Sequence, residues 1–174
     1  AKLLEQSGKR VYLGGNIGTP LIGKLTQMTA EDFAVVELSS FQLMDMRRSP
    51  HIAVVTNVTP NHLDKHTDMA EYIEAKRAIF RYQQAGDLLV ANFDNDVTRA
   101  FLDEAPARTR PFSRRNRCGE GVVCENGRIW LRSGGAEEPL LAAKQIRIPG
   151  NHNVENYMAA VGAAYEYVTQ TDIA

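Results

Sequence analysis

Phe33-Ala34-Val35-Val36-Glu37-Leu38-Ser39-Ser40 is the stretch on which the fold turns. Five of its first six residues are apolar, and such a run suits a strand buried on both faces of a parallel sheet. Three further stretches read as strands: residues 9–13, 52–58 and 88–91. Helical patterns lie between them, near residues 20–28, 41–47, 70–84 and 97–104. This alternation predicts an α/β domain with a doubly wound, mostly parallel sheet and flanking helices.

Residues 108–147 have another texture. Glycines punctuate short β-branched runs there, and Asn126-Gly127 is a strong signal for a two-residue hairpin turn. The region reads as a small antiparallel β excursion, followed by a return to a helix over residues 154–169.

The bulk properties narrow the function. The chain has 174 residues, enough for one domain with a real core. A formal net charge of −1 provides no basic field for nucleic acid or an anionic membrane. No apolar run approaches the roughly 20 residues that span a bilayer. Cys118 and Cys124 are the only cysteines, and their spacing fits no zinc module. So few cysteines suit the cytoplasm better than a disulfide scaffold, although a bridge across a hairpin stays open.

In an open α/β sheet, ligands gather at the carboxyl ends of the strands, so polar residues there carry weight. Gly14-Gly15-Asn16-Ile17-Gly18-Thr19-Pro20 joins a strand to a helix; it is either a tight turn or a place where backbone approaches a ligand. Glu37 closes an apolar strand, as carboxylates that hold Mg²⁺ do in nucleotide-binding folds, and Ser39 adds a hydroxyl nearby. A solvated strand end is the plainer account of both. His62 follows the next strand and is a natural metal partner for Glu37, whereas His66 reads as a surface group.

On the helix around residues 72–81, Tyr72, Ile73, Ile79 and Phe80 share one arc, while Glu74, Arg77 and Arg81 fall opposite. Lys76 lands within the apolar arc. It either snorkels its ammonium past the edge, or it is desolvated and gives up its proton readily. A neutral amine there can take up carbon dioxide as a carbamate. Finally, Gly150-Asn151-His152-Asn153-Val154-Glu155-Asn156 opens the last helix. Asn153 and Asn156 stand three apart on one face, as a helix cap or as part of a polar ligand site.

In order along the chain, Gly15-Asn16-Ile17-Gly18, Glu37-Leu38-Ser39-Ser40-Phe41-Gln42-Leu43, Asn61-His62-Leu63-Asp64, Glu74-Ala75-Lys76 and Gly150-Asn151-His152-Asn153-Val154-Glu155-Asn156 resemble the central, ATP-handling domain of the Mur ligase family. These are the ATP-dependent enzymes that build the peptide stem of peptidoglycan. The segment at 37–43 is most similar to the branch that adds D-glutamate to UDP-N-acetylmuramoyl-L-alanine.

The resemblance implies that Glu37, His62 and a carbamylated Lys76 serve two Mg²⁺ sites, with Mn²⁺ as a substitute. It further implies that Asn16 and Ser39 face the UDP-muramoyl substrate, and that Asn153 and Asn156 contact ATP. D-glutamate is then the acceptor, and a single copy of the chain is the expected unit.

The family's Gly-x-x-Gly-Lys-Ser/Thr phosphate loop is missing from these residues. The chain therefore reads as a piece of a longer protein, without the uridine-binding and amino-acid-binding domains, and as inactive alone. Two other readings compete. A folate-polyglutamylating ligase shares the domain plan, but Ser39-Ser40-Phe41-Gln42-Leu43 argues against it. A noncatalytic nucleotide-binding module is favoured by the missing phosphate loop.

Overall fold

In the computed structural model, residues 1–60 and 67–173 are described. A short helix α1 (Lys2–Gln6) leads into β1 (Val11–Gly15), and a 3₁₀ segment (Leu21–Gln27) connects it to β2 (Phe33–Glu37). These two strands form a parallel pair, with Gly15 opposite Glu37. Then come α2 (Ser40–Met44), β3 (Ile52–Val55), α3 (Met69–Arg81), β4 (Leu88–Asn92) and α4 (Asp96–Glu104). Four more strands follow: β5 (Arg108–Ser113), β6 (Gly121–Glu125), β7 (Arg128–Ser133) and β8 (Ala136–Ala142). The chain closes with α5 (Asn151–Ala164) and α6 (Gln170–Ile173).

Strands β3 to β8 form one sheet in sequence order. The pairs β3–β4, β4–β5 and β5–β6 are parallel, while β6–β7 and β7–β8 are antiparallel. The α/β architecture with a mostly parallel sheet and flanking helices is therefore as the sequence pattern predicts.

The central strand β4 explains the two-sided core. Every residue of Leu88–Asn92 is buried, because successive side chains point to opposite faces. Leu88 and Val90 join Phe112, Val122, Ile129, Met158 and Val161 beneath α5. Leu89 and Ala91 join Ala53, Val55, Tyr72, Phe80 and Phe101 beneath α3 and α4. Rings of Phe80 and Phe101 meet at 5.1 Å between centroids, tying α3 to α4. On the solvent side of α3, Arg77 bonds Glu104 at 2.7 Å and Glu74 pairs with Arg81.

Several element limits differ from the sequence reading, each for a local reason. The expected helix over residues 20–28 is a 3₁₀ segment, with Pro20 at its start in extended backbone and no buried residue to anchor a full α-helix. The strand expected over 52–58 stops at Val55. Residues 108–113 and 121–125, read as part of an antiparallel excursion, instead continue the parallel sheet. Only β6–β7–β8 is antiparallel. Its two turns, Asn126-Gly127 and Gly134-Gly135, hold all four residues at positive φ, as two-residue hairpin loops require. The last helix starts at Asn151, three residues earlier than the periodicity suggests.

Gly15 marks where β1 meets the end of β2. Its φ is +119°, and a Cβ there would fall 2.1 Å from the Glu37 carbonyl oxygen. Gly15→Ala is expected to destabilise the fold by roughly 1–3 kcal/mol, since the backbone conformation alone is costly for an L side chain. A denaturant midpoint equal to that of the unaltered chain would contradict this account of the strand end.

Candidate active site

Strands β1 to β6 all run the same way within their sheets, so their carboxyl ends collect polar residues along common edges. At the end of β2, Glu37 is exposed. Asn16 approaches it from the β1 turn: its backbone N–H donates to the Glu37 carbonyl at 2.8 Å, and its Nδ2 donates to Oε1 at 3.4 Å. Ser39 caps α2, its Oγ accepting from the Gln42 N–H at 3.3 Å while the Gln42 side chain accepts from the Ser39 N–H at 2.8 Å. This reciprocal capping box accounts locally for Ser39 and Gln42.

Lys76 reaches this edge from α3. Helix α2 packs against α3, which brings the two segments together. The Lys76 side chain is half-buried, with Nζ 5.4 Å from the centre of the Tyr72 ring. Burial holds its ammonium below the ordinary lysine value, and the nearby Glu37 carboxylate opposes that shift. Desolvation is the larger effect, so the amine gives up its proton more readily than a surface lysine does.

The other candidates divide. Asn153 lies in the first turn of α5, its Nδ2 donating to the Pro149 carbonyl at 2.7 Å. Asn156 is exposed, and its side chain makes no hydrogen bond among the described residues. Between them Glu155 pairs with Arg114 at 2.8 Å, which sets the start of α5 beside the carboxyl end of β5. His62 falls within residues 61–66 and so lies outside the described residues. Cys118 and Cys124 are free thiols, and burial pushes Cys118 up to about 11.

A polar corner at the end of β4 was missed by sequence reading. Asn92 donates to the Thr56 carbonyl and Asn95 to the Val58 carbonyl, each at 3.0 Å. Asp94 accepts from the Ser113 hydroxyl at 2.7 Å and from the Arg115 N–H at 3.1 Å. The signal was present: Asn92-Phe93-Asp94-Asn95 closes an apolar strand, just as Glu37 does.

A cavity of about 500 Å³ lies elsewhere, lined among others by Arg108, Arg110, Arg132, Glu137 and Glu166. It opens near the amino ends of β5 and β6, and its guanidiniums pair internally, Arg110 with Glu166 and Arg132 with Glu137. It holds none of the candidate residues.

Residues 1–164 match the model of the Mur ligase middle domain. The chain belongs to the Mur ligase family. A UDP-N-acetylmuramoylalanine–D-glutamate ligase from Ruminiclostridium cellulolyticum is 47% identical over 99% of the chain and 37% of that protein. The ligase of the same description from Symbiobacterium thermophilum is 52% identical over 94% of the chain and 36% of that protein. Among solved structures, the MurF ligase from Thermotoga maritima in complex with ADP superposes with a TM-score of 0.65 at 17% identity, over 99% of this chain and 44% of that one. The chain thus spans little more than a third of the length of these curated relatives.

For a Mur ligase middle domain, the fit of Mg²⁺ rests on Glu37. Among the described residues its carboxylate has no guanidinium partner; its hydrogen-bonding neighbour is the neutral Asn16 amide. One or two carboxylates suffice for an ion that keeps waters and phosphate oxygens as its remaining ligands. No cluster of three acidic, histidine or cysteine side chains occurs among the described residues.

The Lys76 shift makes a stability prediction. The unfolded chain keeps this proton up to about the ordinary value of 10.5, while the folded chain releases it at lower pH. Between those two values the unfolded state binds more protons, so this site's contribution to stability rises with pH. Lys76→Met, which keeps the apolar stem, is expected to stabilise the chain most at neutral pH, with the gain shrinking toward pH 10.5. Denaturant titrations of both proteins across that range test it; a gain that does not change with pH would contradict the desolvation.

Proposed function

We propose that this chain is the middle domain of the ligase that joins D-glutamate to UDP-N-acetylmuramoyl-L-alanine at the expense of ATP. The observation that carries this reading is the meeting of Glu37, Asn16 and desolvated Lys76 at one strand edge, within a segment about half identical to ligases of that description. The ADP in the Thermotoga maritima MurF structure supports nucleotide binding by the shared fold.

In this reading the substrate carboxylate attacks the γ-phosphorus of ATP, and the bond to the ADP oxygen breaks. The resulting acyl phosphate is then attacked by the amine of D-glutamate, which displaces inorganic phosphate and loses a proton. Glu37, together with His62, would hold Mg²⁺, which offsets negative charge on the phosphates. The Lys76 ammonium would first lose a proton; the neutral nitrogen would then add to the carbon of carbon dioxide and lose a second proton, so that a cation becomes a carbamate anion near Glu37. A low-pKa amine suits that step, because only the neutral form has the free electron pair. Asn16, held against Glu37, and Ser39 would face the muramoyl substrate, and Asn153 and Asn156 would contact ATP. The chemistry is that of a cytoplasmic enzyme of cell-wall synthesis.

The test is phosphate release by a full-length ligase carrying this middle domain, with ATP, Mg²⁺ and UDP-N-acetylmuramoyl-L-alanine. Release is expected to require D-glutamate, and to be absent from the 174 residues alone, which contain no Gly-x-x-Gly-Lys-Ser/Thr loop. Lys76→Ala is expected to abolish it, with partial return when a short carboxylate is added. Release that depends on another amino acid would move the assignment to a sister ligase, and full activity in Lys76→Ala would remove the carbamate.

A further inference from the structure

We propose that the Asn92–Asn95 corner is a positioning element that holds the metal-binding arm of the site in register with its nucleotide-binding arm. The claim rests on the ligase reading above.

Three segments leave the sheet at the same edge: residues 56–58 after β3, 92–95 after β4 and 113–117 after β5. The corner joins all three by side-chain hydrogen bonds. Asn92 is buried, and both polar atoms of its amide are used: Nδ2 donates to the Thr56 carbonyl at 3.0 Å and Oδ1 accepts from the Asp94 N–H at 2.9 Å. Asn95 is also used twice. Its Oδ1 caps α4 by accepting from the Thr98 N–H at 3.0 Å, and its Nδ2 donates to the Val58 carbonyl at 3.0 Å. Residues 56–58 are therefore held through their carbonyl oxygens, four positions ahead of His62 in the sequence.

Asp94 turns the other way. Its carboxylate takes the hydroxyl of Ser113, itself fully buried, and the N–H of Arg115, while the Ser113 oxygen accepts from the Arg117 N–H at 2.8 Å. Between those anchors Arg114 projects to Glu155 at 2.8 Å, on the helix that carries Asn153 and Asn156. A continuous run of polar contacts thus extends from the backbone ahead of His62 to the first turn of α5. Buried and satisfied networks of this kind fix one geometry, because breaking any member leaves an unpaired polar group.

Asn95 allows the positioning role to be separated from helix capping. Ser at an N-cap still accepts from the backbone N–H, but is too short to reach the Val58 carbonyl. Asn95→Ser and Asn95→Ala in a full-length ligase are expected to lose kcat alike, by on the order of 10–100-fold, as small displacements of catalytic groups do. Both are expected to need several times more Mg²⁺ for half-maximal rate, with KM for ATP within about twofold. Thermal stability should differ, with Asn95→Ala melting lower than Asn95→Ser. Unchanged kcat and Mg²⁺ dependence in Asn95→Ser would overturn the proposal. So would a catalytic loss that tracks melting temperature across the two variants, which is what capping alone predicts. If the unaltered ligase releases no phosphate with D-glutamate, it is the ligase reading that has failed, and this claim falls with it.

Discussion

Glu37 and Lys76 come from different parts of the architecture, and their meeting depends on the packing of α2 against α3. Glu37 ends β2, in a two-stranded sheet that, among the described residues, shares no hydrogen-bonded strand with the larger one. Lys76 rides on α3, which is buried against the six-stranded sheet through Tyr72 and Phe80. Helix α2 follows Glu37 after two residues, and its Leu43 is 1% exposed. Burying that side chain is what draws the carboxylate toward the amine.

The rest of the edge is arranged by backbone direction. Parallel strands deliver all their carboxyl ends to one side, and each end leaves polar groups that must be satisfied or used. Asn92, Asp94 and Asn95 satisfy them with side-chain hydrogen bonds to neighbouring loops, producing a stiff rim. Glu37 and Asn156 are left facing solvent. The division between rim and ligand-facing residues follows burial: Asn92 is 4% exposed and Ser113 fully buried, whereas Glu37 lies open.

Much of this was legible in the sequence, because it rests on short-range pattern. The apolar run at β4 announces a strand buried on both faces, and Asn126-Gly127 announces its hairpin. The run at β2 does form a parallel strand but not a buried one, because it pairs with β1 in a separate two-stranded sheet and leaves Val36 45% exposed. The apolar arc of α3 pointed to Lys76 before any packing was known. What stayed hidden depends on long-range partners. Residues 108–113 open with three consecutive polar residues, Arg108-Thr109-Arg110, so they carry no buried-strand pattern; their parallel pairing follows from β4 lying alongside and from Arg110 bonding the Gly162 carbonyl and Glu166. Likewise, nothing near Arg114 in the sequence announces its partner Glu155, which lies 41 residues later. The corner at Asn92 was a lapse of a different kind, since the strand-end rule applied to Glu37 applies equally there.

Whether the edge built by α2 and α3 activates a carboxylate is tested most directly by following oxygen. A full-length ligase carrying this domain would be given ATP, Mg²⁺, D-glutamate and UDP-N-acetylmuramoyl-L-alanine labelled with ¹⁸O in the alanyl carboxylate. Attack on the γ-phosphorus makes that oxygen the bridge of the acyl phosphate, and displacement by the amine carries it away with phosphorus. The account predicts ¹⁸O in the released inorganic phosphate. Product formed with no label in the phosphate would contradict it.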